Sequence, residues 1–240
     1  MSKQFWGVII IVVLVLVGIF AFTGKKTTTG SNGALPTNHT IGAGTKHVTL
    51  VEYADYECPY CAEYYPTVKQ VVDMYKQDIT YQFRNFPITS LHQNAYAAAR
   101  AAEAAGYQGK YFEMHDLLYQ NQNLWAQSSA PQATFEQYAA SLQLNIPKFR
   151  ADYASIKVNN AINADMAAAN KLGVTGTPSF FVDGKQVTIA NNVDAFKKVL
   201  DAEIAKKNPS SAASSPSSSA TPATNTAPPA STTPAAPANP

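Results

Sequence analysis

Cysteine, net charge and clustered histidine are all scarce in this sequence, and each shortage closes off a class of protein. Two cysteines, Cys58 and Cys61, are all that the 240 residues contain. A disulfide-dense scaffold and a four-cysteine zinc site are therefore excluded. The four histidines, His39, His47, His92 and His115, include no pair at the short spacing of a zinc finger. A site made from both cysteines and two remote histidines stays open on spacing alone. The net charge is +2, and the basic residues are scattered. No basic stripe exists, so no nucleic-acid partner is expected. Charge disappears altogether over the last 33 residues, "NPSSAASSPSSSATPATNTAPPASTTPAAPANP". Such a Ser/Ala/Thr/Pro tract cannot bury enough apolar surface to offset ordering entropy, so 208–240 is expected to be a disordered tail.

Long apolar runs are confined to one place. Residues 5–22, "FWGVIIIVVLVLVGIFAF", match the length of a bilayer-crossing helix. Residues 1–22 are therefore a transmembrane anchor or a signal segment. The run is longer than a usual signal core and no small-x-small site follows it, which favours the anchor. Lys3 lies on one side and Lys25 and Lys26 on the other, so basic residues give no clear orientation. Residues 23–45, rich in Gly and Thr, read as a flexible linker. That leaves 46–207 as one folded domain, long enough for an ordinary hydrophobic core.

Within that domain the hydrophobic period changes along the chain. "HVTLVEY" (47–53) and "ITYQFRNF" (79–86) alternate and are β-branched, as strands are. Between them a helix is expected from Pro59 to about Gln77, with Pro66 kinking it. Ser90 reads as the cap of a helix ending at Gly106. Further helices follow at "KYFEMHDLLYQNQ", at Thr134 with a capping-box Gln137, at "IPKFRADYAS" and at "IKVNNAINADMAAANKLG", the last closed by Gly173. Asp183-Gly184 then joins two short strands as a hairpin, and a helix from about Asn192 to Lys207 closes the domain. Strand–helix–strand plus hairpin makes a mixed sheet with helices packed on it.

Both cysteines fall in "VEYADYECPYCAEYYP", residues 51–66. As a staple, the pair would close too short a loop to restrict the unfolded chain much. As a redox couple it is well placed. Cys58 sits where a turn enters a helix, and unpaired amides there favour a thiolate. Cys58 is then the nucleophile and Cys61, one turn on, the resolving thiol. Pro59 suits the first helical position. A second segment, "GVTGTPSFFVDG" (173–184), supports this reading. Thr177-Pro178 before a strand invites a cis bond, and Thr177 backbone groups would then lie beside Cys58, open to an extended substrate chain. Pro178 also fits an ordinary strand-initiating proline. Asp55 and Glu57, whose charges would oppose a thiolate, are expected to face solvent. Tyr53, Tyr56, Tyr60, Tyr64 and Tyr65 are candidates either for an apolar peptide groove or for core packing.

Together "VTLVEYADYECPYC", "GKYFEMHDLLYQNQ" and "GVTGTPSFFVDG" resemble the thioredoxin superfamily, and more closely its DsbA-like thiol:disulfide oxidoreductases of the membrane-anchored bacterial type. Glutaredoxins share Cys-Pro-Tyr-Cys but lack room for the 116 residues between Cys61 and Pro178. The resemblance implies an α/β thioredoxin fold, a mixed central sheet flanked by helices, with a helical insertion at about 88–155. It implies a dithiol oxidase outside the cytoplasm in the cell envelope, introducing disulfides into exported proteins that carry free thiols. A quinone-linked membrane re-oxidase of DsbB or VKOR type would renew the pair. The implied enzyme is a monomer and uses no cofactor beyond the Cys58–Cys61 disulfide. Carried over by residue, Cys58 and Cys61 react, Thr177-Pro178 form the cis-proline loop, and Glu52 is a buried acid that moves protons near Cys61. Glu52 also fits a strand glutamate facing water. Pro59 and Tyr60 modulate the pair; strongly oxidising members have His where Tyr60 stands, which predicts a less acidic Cys58 here. A reductase or isomerase of the same fold, or a non-catalytic peptide-binding module, are the alternatives.

Overall fold

The computed structural model describes residues 34–209. The anchor or signal expected at 1–22, the first part of the linker and residues 210–240 of the tail lie outside the described residues. Among the described residues no helix is long and apolar enough to cross a membrane.

Five strands form one mixed sheet. They are β1 (His39–Ile41), β2 (Val48–Ala54), β3 (Ile79–Asn85), β4 (Ser179–Val182) and β5 (Lys185–Val187), in spatial order β1-β3-β2-β4-β5. β2 and β3 are parallel, from Val48 opposite Ile79 to Ala54 opposite Asn85, and helix α1 (Pro59–Met74) crosses between them. The other pairs are antiparallel. Asp183 and Gly184 both have positive φ, 50° and 79°. That is the turn that matches strand twist in a two-residue hairpin, which explains the Asp-Gly. Pro66 lies inside α1.

Helix α2 (Ala95–Gly106) is the hub of the insertion. Its alanines are buried on nearly every side, and their small size lets α3 (Tyr111–Gln120), α5 (Pro131–Ser141), α6 (Ile146–Ala154) and α7 (Ile156–Lys171) all pack on it. A four-residue helix, α4 (Gln122–Trp125), carries Trp125 into the insertion core against Phe135, ring centroids 5.4 Å apart. Helix α8 (Val193–Lys207) is capped by Asn192, which accepts from Ala195 N, and packs Phe196 and Leu200 under the sheet. Its far end is pinned beside the start of β2: Asn208 Nδ2 donates to Lys46 O at 3.2 Å, and Lys207 Nζ reaches both His47 O and Asp183.

Three expectations need correction. The supposed linker contains a strand, β1, and residues 43–46 are strapped to the 76–79 turn by four backbone hydrogen bonds of 2.8–3.2 Å. Gly42 (φ 103°) is a packing glycine, since a Cβ there would meet Ile79 O at 2.2 Å. Second, α2 begins at Ala95 and Ser90 caps nothing, because residues 88–94 are held by acids of the 55–57 turn instead. Third, α5 begins at Pro131, whose ring fits the first helical position, so Thr134 lies within the helix.

A buried polar knot fastens β1 to the rest. Asp165 on α7 accepts from Thr37 N (2.8 Å), Thr37 Oγ1 (2.7 Å), Asn85 N (3.0 Å) and Arg84 Nη1 (3.2 Å). Next to it His39 bonds Glu103 at 3.0 Å and stacks on Tyr111. Burial pushes the Asp165 carboxyl up, and its donors oppose that.

Candidate active site

Cys58 is the N-cap residue of α1, in extended backbone (φ −65°, ψ 122°), and Pro59 follows as the first helical residue. The strand-to-turn geometry is set by Asp55. Its Oδ1 accepts from Glu57 N at 2.8 Å, its Oδ2 from Ile88 N at 2.8 Å, and His92 Nδ1 lies 2.7 Å from the same oxygen. Glu57 accepts from Asn94 N at 2.6 Å. Gln122 Nε2 donates to the carbonyls of Tyr56 (2.8 Å) and Cys58 (3.1 Å). The insertion therefore holds the cysteine turn through backbone and side-chain contacts on both flanks.

Asp55 and Glu57 are both buried, which corrects the expectation that they face water. Their hydrogen bonds turn the negative charges into the 88–94 segment. The signal was present in the sequence: an Asp two residues before a turn amide is an Asx-turn pattern. Gln122, His92 and Asn94 carried no such signal.

The peptide bond Thr177-Pro178 is cis, and the Cys58 thiol donates to Thr177 O at 3.6 Å. Beside them Tyr60, Tyr64, Thr177, Pro178, Phe180 and Val187 line a cavity of about 290 Å³. Tyr60 is 66% exposed there, while Tyr53 and Tyr56 belong to the core. The tyrosine cluster thus divides between groove and core.

The two sulfurs are electrostatically unequal. The Cys58 thiol is pulled down to about 6, first by the hydrogen bond from Cys61, against burial, with help from the Thr177 side chain and the Cys61 and Tyr60 amides. The Thr177 hydroxyl is buried without a partner in this geometry, and a thiolate at Cys58 supplies an acceptor. Burial, and then the neighbouring Cys58, push the Cys61 thiol well up. One sulfur is an anion near neutral pH and the other keeps its proton.

Glu52 faces inward on β2 and is 3% exposed. Tyr81 Oη donates to its Oε2 at 2.6 Å. Burial raises its carboxyl to about 7, with the Tyr81 bond opposing, and its charge contributes to the high pKa of Cys61. An acid whose folded value is raised loses stability as pH rises from its unfolded range towards that value. The shift corresponds to about 3 kcal/mol. Glu52→Gln is therefore expected to match the parent near pH 4 and to exceed it by about 2–3 kcal/mol at pH 8. Urea unfolding at the two pH values checks this, and equal gains at both would refute it.

Among the described residues no group of three or more His, Cys, Asp or Glu is arranged to hold a metal ion.

Comparison with known proteins gives a coherent outcome. A family model described as thioredoxin matches residues 34–202. A thioredoxin-like oxidoreductase from Silicibacter pomeroyi DSS-3 is 31% identical, with a TM-score of 0.58 over 69% of this chain and 91% of that one. Wolbachia pipientis alpha-DsbA1, 23% identical, superposes with a TM-score of 0.63 over 74% of this chain and 96% of its own, a likeness of fold. Among curated proteins, Na(+)/H(+) antiporter NhaA 3 of Salinispora tropica is 37% identical over 168 residues, 70% of this chain but 25% of that protein. The chain spans about a quarter of the length of the curated relatives it matches.

Proposed function

Since the chain belongs to the thioredoxin family and is a thiol:disulfide oxidoreductase of DsbA-like build, we propose that it works as a dithiol oxidase on exported proteins. The observation that carries this reading is the inequality of the two thiols. A thiolate held at Cys58 stabilises the reduced form, so the Cys58–Cys61 disulfide gives up its bond readily. A substrate thiolate attacks Cys58 while its chain lies along Thr177-Pro178, and the S–S bond to Cys61 breaks. A second substrate thiolate then attacks the substrate sulfur, and Cys58 leaves as the stable anion. Glu52 supplies the proton that Cys61 takes when it is released. Tyr60 places a phenol ring, not an imidazole, at the groove, leaving Cys61, Thr177 and the helix amides as the sources of thiolate stabilisation.

The apolar run at 5–22 supports tethering to a membrane, with the catalytic domain in the cell envelope. Relatives named as antiporters, which carry this module within a longer chain, support the same placement. Re-oxidation then falls to a quinone-linked membrane oxidase of DsbB or VKOR type. The enzyme acts as a monomer and needs no cofactor beyond its disulfide.

A redox titration against glutathione across pH tests the chemistry. Reduction takes up two protons while Cys58 is protonated and one above its pKa. The potential should fall by about 60 mV per pH unit below pH ~6 and by about 30 mV above it. A single steep slope up to pH ~9 would show an ordinary thiol. Alkylation trapping in cells gives the direction: a mostly oxidised pair marks an oxidase, and a mostly reduced pair overturns that choice for a reductase or isomerase.

A further inference from the structure

Glu52, the buried acid whose charge acts on Cys61, needs a route to solvent to exchange its proton, and a cavity adjoins it. A cavity of about 40 Å³ lies between α1 and α3, lined by Glu52 and Tyr81 from the sheet, Val72 and Lys69 from α1, and His115 and Asp116 from α3. A buried water needs about 10–15 Å³ and two to four polar partners, so this space suits water. Tyr81 makes the one hydrogen bond to the Glu52 carboxylate among the described residues. Beyond the cavity His115 Nδ1 lies 3.2 Å from Asp116 Oδ1, and Lys69 Nζ donates to Asp116 Oδ2 at 2.7 Å. His115 is buried, whereas the Asp116 side chain is 28% exposed. The polar groups thus run from the interior to the surface.

This cavity and the substrate groove share no residue. Cys61 is fully buried, and a protein chain seated over Tyr60, Tyr64 and Pro178 would seal the groove side as well. We propose that the proton exchanged by Cys61 enters and leaves through the α1–α3 cavity, by way of His115 and Asp116, on the flank away from the substrate. The proposal rests on the oxidase reading of the pair and adds its proton path. The balance is simple. Attack by the substrate thiolate forms one S–S bond at Cys58 and breaks the one to Cys61, whose sulfur takes the Glu52 proton. Glu52 regains a proton from solvent along the cavity, with His115 accepting on one ring nitrogen and releasing from the other. Re-oxidation of the pair runs the same route outward. Lys69 keeps the Asp116 carboxylate fixed at the mouth.

Two variants test the route, read by stopped-flow formation of the mixed disulfide between oxidised enzyme and a reduced, unfolded protein. Val72→Ile pushes a methylene into the cavity and leaves every ionisable group in place. Asp116→Asn removes the carboxylate at the mouth, on a partly exposed side chain whose loss the fold tolerates. Each should slow the step about tenfold or more, since a positioned proton donor is worth 10²–10⁴. A small monothiol such as glutathione, which leaves the groove uncovered, should be slowed less. The Cys58 thiolate midpoint should not move. If both variants fold and react with the protein substrate at the parent rate, the route is wrong. If protein substrate and glutathione slow equally, the proton does not depend on a back entrance and the proposal also falls. A parent enzyme that exchanges no thiols would instead defeat the oxidase reading itself.

Discussion

Cys58→Ser is expected to lower oxidation of a reduced test protein on the order of 10³-fold or more, to the uncatalysed rate. Serine keeps the size and the helix cap position, but its oxygen forms no disulfide and stays protonated. The fold should survive, because the hydrogen bonds of the Cys58 sulfur are weak ones and the turn is held by Asp55 and Gln122. Cys61→Ala separates the roles. It leaves the Cys58 thiol free to be captured in mixed disulfides, with nothing to resolve them from within. Gel-trapped adducts in Cys61→Ala and none in Cys58→Ser is the expected pattern. Full oxidase activity in Cys58→Ser would mean a peptide-binding module in which the thiols are incidental.

Asp165→Ala is expected to cost about 3–5 kcal/mol, the range for removing one partner from a buried ion pair. Against a typical total of 5–15 kcal/mol, that is a large share. The aspartate, fully buried on α7, receives hydrogen bonds from two other segments, Thr37 and the Arg84-Asn85 end of β3, and so ties three parts of the chain together. Truncation leaves Arg84 Nη1, the Asn85 backbone amide and the Thr37 hydroxyl without their acceptor, while Arg84 Nη2 keeps Gln82. The loss should appear as a lower urea midpoint with the slope unchanged. Asp165→Asn keeps one oxygen and should lose less. If the alanine variant unfolds at the parental midpoint, the knot contributes nothing.

The catalytic half of the molecule was readable because its signals are local. Cys58, Pro59 and Cys61 lie within four residues, Asp183-Gly184 is a complete turn signal, and β2 and β3 alternate over seven residues each. The insertion was readable as helices but not in its starts, since Ser90 and Thr134 look like caps in isolation. What decides there is distant: Asp55 and Glu57 claim the backbone amides of Ile88 and Asn94, and no local pattern shows an acid more than thirty residues away. β1 was hidden for a related reason. Three residues are too few to display a period, and the partner that fixes Thr37 is 128 positions along the chain. The glycines around it read as linker, yet Gly42 is required by the approach of Ile79 O.

The pinning of Lys207 and Asn208 beside Lys46 and His47 has an architectural result. β2 rises from there for roughly 20 Å before delivering Cys58, so the C-terminal end of α8 lies at the pole opposite the catalytic mouth. A contact made at that pole leaves the sulfur and its groove uncovered. The molecule behaves like a tool gripped at its base, with its working tip left clear.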